Sequence, residues 1–230
     1  MFKKKKPKVS ALIVAGGVGN RMGASVPKQF IEVLGKPVIA YTLDAFSNNN
    51  DIDEIVVVTL EEYIVFCKDI VEAFGFKKVK SIICGGATRQ ESVYNGLLEV
   101  TGEYVLIHDG ARPLVSQGVI NECIATVISK SACAVGVKVK DTLKIADDEK
   151  IIKATPDREH IYAIQTPQCF KTEDILNAHK VAIETSFFGT DDAVLYEKIG
   201  GKIMIVEGEY TNIKITTPID LAVMETYLQN

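Results

Sequence analysis

Two rhythms of apolar residues alternate along the first half of the chain. Val9 to Val14 is an almost unbroken apolar run, and Asp53 to Thr59 (DEIVVVT) is dominated by β-branched residues. Continuous runs of this kind predict strands covered on both faces. Val79 to Cys84 and Tyr104 to His108 are two further runs of strand length. Between them the apolar positions return at helical spacing: Val38, Tyr41, Thr42 and Ala45 after Pro37, then Ile64, Cys67, Val71 and Phe74 within Glu61 to Phe74, then Thr88 to Val100. Pro37 suits a first helical turn. Strand and helix in strict alternation predict right-handed βαβ units, an α/β fold with a mainly parallel sheet.

From Ala132 the rhythm changes. AVGVKVKDTLKIAD alternates apolar and polar residues, as does KIIKAT after the Asp147-Asp148 turn. The pattern predicts a β-arm with one polar face, at about residues 138–165. A two-stranded arm is not stable alone, so it is expected to lie on a second copy of the chain, with its own domain as the competing surface. The parallel pattern should then return, with a strand near Tyr162 to Thr166, helices over Thr172 to Thr185 and Asp191 to Ile199, and a strand over Lys202 to Val206. A last helix opens at Thr217-Pro218-Ile219-Asp220, which supplies a cap, an N1 proline and a first-turn acid. No internal repeat or linker divides the chain. Residues 1–230 therefore read as a single domain carrying the arm.

In sheets of this class, ligands bind beyond the carboxyl ends of the strands. The first strand ends in Gly16, Gly17, Gly19 and Gly23, with Arg21 and then Lys28 after Pro27. Glycines let backbone amides crowd around an anion, and the two cations suit phosphate. Two familiar cradles fail on spacing. A P-loop needs a glycine where Arg21 or Met22 stands, and the dinucleotide fingerprint needs one at Met22. The strand at 79–84 ends in GGATRQES, with Ser92, and the strand at 104–108 ends in His108-Asp109-Gly110-Ala111-Arg112-Pro113. Neighbouring strands would bring these ends together.

Composition narrows the partners. A net charge of −4 over 230 residues gives no broad basic face, which argues against nucleic acid as a partner. The basic run Lys3 to Lys6 reads as a solvated tail. No apolar run approaches the length of a membrane span. Five cysteines, at 67, 84, 123, 133 and 169, form no CxxC pair and lie mostly in apolar segments. The three histidines do not cluster with them, so no structural zinc site is expected. The expectation is a reduced, cytoplasmic protein.

The candidate chemistry is phosphate handling. Arg21, Lys28 and Lys214 are cations near strand ends, and Asp109 is the carboxylate that could hold a metal or cap a turn. His108 is expected to be structural, because neighbouring strand residues point to opposite faces. Cys84 has no activating partner. Positioning and charge neutralisation without a nucleophile–base pair suit phosphoryl or nucleotidyl transfer.

Eight motifs in order, AGGVGNRMG…PKQ, GGATRQESV, HDGARP, VKDT, DR, QTPQ, GTDDA and NIKITTP, resemble those of the cytidylyltransferases that activate a sugar-alcohol phosphate with CTP. The resemblance runs from Val9 to Leu228 and is nearest to the 2-C-methyl-D-erythritol 4-phosphate branch of non-mevalonate isoprenoid synthesis. It implies a Rossmann-like, mainly parallel twisted sheet with flanking helices and a protruding β-arm used in dimerisation. It implies that Gly16, Gly17 and Gly19 line the CTP phosphates, that Arg21, Lys28 and Lys214 stabilise charge in the transition state, and that Gly86 and Ser92 recognise cytosine. Asp109 would ligate Mg2+, with Arg112 beside it on the CTP side. Thr142, Arg158, Thr166 and Thr190 would hold the phosphorylated polyol, the first two reaching a homodimer partner.

Gly16 departs from the alanine commoner in that branch and fits the ribitol 5-phosphate branch, toward which Tyr162 also leans. HDGARP, QESVYNGL, VKDTLK and TDDAVLYEKIG favour methylerythritol phosphate. Two other classes remain as rivals. A nicotinamide-dependent reductase is opposed by Met22, and a non-catalytic nucleotide-binding regulator would not need both Lys28 and Lys214.

Overall fold

A computed structural model of the chain describes residues 6–17 and 27–229. Its elements, in order, are β1 (Val9–Ala15), the short pair β2 (Glu32–Val33) and β3 (Lys36–Pro37), α1 (Val38–Ser47), β4 (Glu54–Thr59), α2 (Ile64–Phe74), β5 (Val79–Cys84), α3 (Arg89–Glu99) and β6 (Tyr104–Asp109). They continue with α4 (Gln117–Lys130), β7 (Ala132–Lys138), β8 (Ile145–Ala146), β9 (Ile152–Ala154), β10 (Tyr162–Lys171), α5 (Thr172–Glu184), α6 (Asp192–Lys198), β11 (Met204–Glu207) and α7 (Pro218–Gln229).

Seven strands form one sheet in the order β11-β7-β10-β6-β1-β4-β5. β1, β4, β5 and β6 run parallel, as the alternation of elements predicts, and β11 is parallel to β7. From β1 the chain winds outward through β4 and β5, then crosses back to place β6 on the other side of β1. That reversal opens a crevice beyond the carboxyl ends of β1 and β6, where open α/β sheets bind ligands.

Both faces of the sheet are covered, which explains the unbroken apolar runs. Ile13, Ile55 and Val57 face a core shared with Ile39, Leu43 and Ile120, while Leu12, Val56 and Val58 face one shared with Val93, Leu97 and Leu195. α3 lies so close to the sheet that a Cβ on Gly96 would fall 2.4 Å from Leu12 Cδ1 and 2.8 Å from Val58 Cγ2. α2 stops where Gly75 turns left-handed at φ +68°. Before it, Glu61–Tyr63 forms a 3-10 turn where continuous helix was expected.

Two expectations are corrected. The segment from Ala132 does not begin the arm, because β7 is a buried inner strand between β10 and β11. Its small residues pack against both layers, so alternation there does not mark a solvent face. The strand at Tyr162 also does not restore the parallel pattern. β10 is longer than expected and antiparallel to both β6 and β7. No α-helix separates β7 from β10, only a 3-10 turn at Arg158–His160, and a parallel return would need a crossover. The intervening segment carries the small hairpin of β8 and β9, exposed throughout. The spacing argument passed over α4, although Val119, Ile120, Cys123, Ile124 and Val127 form its buried stripe.

Four of the five unpaired cysteines are buried and Cys84 is exposed. Cys123, Cys133 and Cys169, far apart in sequence, meet in the core with their sulfurs within 4.8 Å of one another. No described helix is long and apolar enough to cross a membrane.

Glu54 ties the amino ends of the strands together. Oε1 accepts from Ser10 Oγ at 2.6 Å and Thr101 N–H at 2.7 Å, while Oε2 accepts from Lys8 Nζ at 2.6 Å and Thr101 Oγ1 at 2.7 Å. Burial alone would raise its pKa, but these bonds outweigh burial and hold it at about 2, against an ordinary 4.5. A carboxylate depressed in the folded state stabilises above its unfolded pKa and ceases to as pH falls through the folded value. Glu54→Gln is expected to cost about 1–3 kcal/mol at pH 7. That deficit should shrink as pH falls from 4.5 toward 2, as urea unfolding series at several pH values would measure.

Candidate active site

Asp109 stands at the carboxyl end of β6, beside the end of β1, and its carboxylate is the centre of the crevice. Lys214 Nζ lies 2.6 Å from Oδ2, Arg112 Nε 3.9 Å from the same oxygen, and Arg89 Nε 3.5 Å from Oδ1. Burial, the largest single influence, would raise the pKa of Asp109. Arg89, Lys214 and Arg112 together outweigh it and hold the group well below the usual carboxylate range. Asp109 is therefore an anion at any physiological pH.

Its backbone is as tightly held. Asp109 N–H donates to Thr166 Oγ1 at 3.1 Å, and Thr166 Oγ1 lies 3.1 Å from His108 Nδ1. His108 Nε2 is 3.0 Å from the Arg112 carbonyl, which can only accept. The chain fixes the tautomer: Nε2 carries the proton, and the Thr166 hydroxyl donates to Nδ1. Burial pushes the His108 pKa down to about 4, so the ring is neutral and internal, as the sequence suggested.

The QTPQ segment of β10 anchors three surrounding loops. Besides Thr166, Gln165 Oε1 and the Thr166 carbonyl both accept from Asn212 Nδ2, at 3.0 and 2.9 Å. Arg112 donates to the Asn212 carbonyl at 2.7 Å, and Ile215 N–H to the Ala111 carbonyl at 2.8 Å. These bonds hold the loop that carries Lys214. Gln168 Oε1 accepts from the N–H groups of Asp192 and Ala193 while its Nε2 donates to Asp191 Oδ2 at 2.8 Å, fixing the start of α6.

Two cavities adjoin at Asp109. One, of about 370 Å³, is bounded by Gly16, Gly17, Lys28, Gly86 and Ser92. The other, of about 240 Å³, is bounded by Arg112, Thr166, Gln168, Thr190 and Asp191. Arg89, Asp109 and Lys214 line both. The structure thus brings Gly16, Gly17, Lys28, Gly86, Ser92 and Lys214 to one side and Arg112, Thr166 and Thr190 to the other. Gly19 and Arg21 lie outside the described residues. Thr142 and Arg158 are exposed on the arm segment and line neither cavity. Arg158 there donates to the Lys140 carbonyl at 2.8 Å.

Local sequence explains the shape of the first cavity. Thr88 caps α3 by accepting from Glu91 N–H, and Glu91 reaches back to Ala87 N–H, a reciprocal cap. A Cβ on Gly86 would lie 2.3 Å from Glu91 Cβ, and one on Gly85 2.6 Å from Ser92 Oγ. Both glycines are required by this fold-back. Ser92 Oγ accepts from Gly86 N–H at 3.1 Å and donates to the Thr88 carbonyl at 2.8 Å.

The sequence of this chain matches the 2-C-methyl-D-erythritol 4-phosphate cytidylyltransferase family over residues 9–230. The chain belongs to that family. A relative of that name from Caldanaerobacter subterraneus subsp. tengcongensis is 49% identical over 224 residues, covering 96% of this chain and 99% of the relative. One from Geobacter metallireducens is 46% identical over 227 residues, covering 96% and 97%. Among solved structures, 4-diphosphocytidyl-2C-methyl-D-erythritol synthase from Anaerococcus prevotii superposes with a TM-score of 0.88 at 36% identity, covering 98% of this chain and 97% of that one. The cytidylyltransferase from Thermus thermophilus gives 0.78 at 32%, covering 97% and 100%.

Sequence reasoning left Gln29, Arg89, Gln168 and Asp192 without roles. All four stood inside motifs already singled out, PKQ, GGATRQESV, QTPQ and GTDDA, and that was the available signal. Gln29 Nε2 donates to the carbonyls of Ala15 and Gly17 and so shapes the end of β1. Thr166→Val removes the hydroxyl that both accepts from Asp109 and donates to His108. It should cost about 1–3 kcal/mol in urea unfolding, from the stranded buried N–H, whereas Thr166→Ser should remain close to the native stability.

Proposed function

We infer that the chain transfers the cytidylyl group of CTP to 2-C-methyl-D-erythritol 4-phosphate, giving 4-diphosphocytidyl-2-C-methyl-D-erythritol and pyrophosphate. Beyond family membership, the observation that carries this reading is the pair of cavities sharing a charged wall at Arg89, Asp109 and Lys214. A triphosphate in the larger and a phosphorylated polyol in the smaller would meet there, as an in-line displacement requires.

The attacking phosphate oxygen forms a bond to the α-phosphorus as the bond to the pyrophosphate oxygen breaks. The attacking group is already an anion, so no side chain need remove a proton, and neutral His108 is free for its structural task. Lys28 and Lys214 supply positive charge on the nucleotide side, with Arg21 assigned to the same task from the family motif. In this reading the backbone at Gly16 and Gly17 admits the phosphates, and Gly86 and Ser92, on the lining of the same cavity, recognise the base. Arg112, which the resemblance put on the CTP side, lines the smaller cavity with Thr166 and Thr190 and is reassigned with them to the polyol side.

Asp109 would hold Mg2+. It is the one acid among the described residues lining the larger cavity, it is ionised, and its oxygens suit a hard cation bound jointly with substrate phosphates. Such an ion neutralises charge on the phosphate oxygens; Lys214 would have to leave Oδ2 to make room.

The active form is a homodimer in this reading. The hairpin exposes Ile145, Ile151 and Ile152, each by more than half, and too little structure underlies it for independent stability. Laid on a second copy, the arm would bring Thr142 and Arg158 to that copy's polyol cavity. The unpaired thiols fit a reducing cytoplasm.

Gly16, with Tyr162, is a feature that favoured ribitol 5-phosphate. A Cβ there would meet Ser92 Oγ at an ordinary 3.8 Å. Alanine would fit, so Gly16 makes no steric distinction between the branches.

Purified protein with CTP and Mg2+ should release pyrophosphate with methylerythritol phosphate and much less with ribitol 5-phosphate. Faster release with ribitol 5-phosphate reverses the substrate assignment, and tight CTP binding without turnover points to a regulator. Lys28→Ala and Arg158→Ala should each lower turnover by about 10²–10³-fold. Mixing the two variants should restore activity, because one hybrid site then carries both native residues; without restoration the shared site is wrong.

A further inference from the structure

Arg89 is the feature of the site that the assigned roles leave unused. It is the first residue of the eleven-residue α3, where the helix dipole disfavours a cation. Its placement therefore works against its own helix. What holds it there is a pair of carboxylates on different elements. Nε lies 3.5 Å from Asp109 Oδ1, and an Nη lies 2.8 Å from Asp192 Oδ2. Burial would lower the pKa of Arg89, but Asp192 and Asp109 more than reverse that, so it is always charged.

Asp192 is itself enclosed. Its side chain is 1% exposed, lines neither cavity, and has its other oxygen 3.2 Å from Nε2 of buried His179. Its backbone is fixed by Gln168. Burial would raise its pKa, yet Arg89 and His179 keep it ionised. A buried, backbone-anchored anion is a rigid post. A guanidinium ion-paired with it at 2.8 Å is broad and planar enough to face a second carboxylate, which a compact ammonium is not.

Asp109 is thus gripped on both oxygens. Lys214 takes Oδ2 from a half-exposed side chain, and Arg89 takes Oδ1 from a braced one. The wall shared by the cavities holds two cations, Arg89 and Lys214, against the carboxylate of Asp109, where two phosphorylated substrates must meet.

We propose that Arg89 is a positioning residue for cytidylyl transfer: braced against Asp192, it sets the orientation of Asp109 at the wall shared by the two cavities. The proposal rests on the transfer reaction inferred above. When Lys214 leaves the carboxylate for a phosphate, Arg89 is the group that keeps Asp109 from swinging. Its contribution belongs to the geometry of the reacting centre rather than to nucleotide affinity.

Arg89→Ala would strand Asp192 without its cation and could unfold the chain, so the test uses Arg89→Lys and Asp192→Asn. Lysine keeps the charge but cannot bridge both carboxylates, and asparagine keeps the shape of the post without its charge. Steady-state kinetics with both substrates, CTP affinity by calorimetry and thermal melting would be measured for each variant and for the double variant. Arg89→Lys should melt near the native protein and Asp192→Asn below it, and each, measured where it is folded, should bind CTP within about three-fold of native and lose roughly 10²-fold in kcat, the scale set by small misplacements of reacting groups. The double variant should be no worse than the singles, because both break one brace. Native kcat in Arg89→Lys overturns the proposal while leaving the transfer reading intact. Parallel losses of stability and CTP affinity, with turnover per folded molecule unchanged, overturn it in favour of a structural role. Absence of turnover in the native protein defeats the transfer reading and this proposal with it.

Discussion

The arrangement depends on one buried carboxylate that the fold keeps charged. Asp109 sits where burial penalises an anion, and Arg89, Lys214 and Arg112 reverse that penalty. Each cation arrives from a different part of the chain: the start of α3, the loop before α7, and the loop after β6. A misplaced loop would leave a charge buried and unpaired, which is far more costly than a lost surface pair. Charge at Asp109 and the folding of its neighbourhood are therefore one problem.

β10 solves that problem from the other side. Its QTPQ segment occupies the middle of the sheet and binds three loops at once: the Asp109 turn through Thr166, the Lys214 loop through Gln165, and the start of α6 through Gln168. An antiparallel strand can do this because it delivers its residues to the carboxyl ends of its parallel neighbours partway along its length rather than at an end. The same chain reversal that makes β10 antiparallel throws out the arm between β7 and β10. The internal scaffold of the site and the segment proposed to reach a second copy share that topological origin.

The alternation of strands and helices was legible because its cause is local. A strand covered on both faces has to be largely apolar, so β1, β4 and β6 announced themselves, edge strand β5 was read from its place in the alternation, and α1 to α3 followed from the spacing between them. The rule that ligands sit beyond strand ends then located Gly16, Gly17, Ser92 and Asp109, and eight ordered motifs identified the family. Lys28, Lys214 and the threonines gained their roles from that resemblance. The second half read less well. β7 (ACAVGVK) mixes two valines with alanine, cysteine and glycine, whose small side chains do not distinguish an inner strand from an arm. The direction of β10 depends on the missing crossover rather than on its own residues.

Which residues of those motifs face one another was decided only by the folded chain. Nothing in the spacing of Arg89, Asp109 and Asp192 shows that one guanidinium spans two carboxylates, since these residues come from separate loops and helix starts. Nor does sequence show that Cys123, Cys133 and Cys169 share one point of the core. The sequence determined the kind of sheet, the strand ends at which its motifs stand and the family, because periodicity and motif order are local properties. The tertiary structure decided the electrostatic partners, because a Coulomb interaction depends on distances in space that order along the chain does not contain.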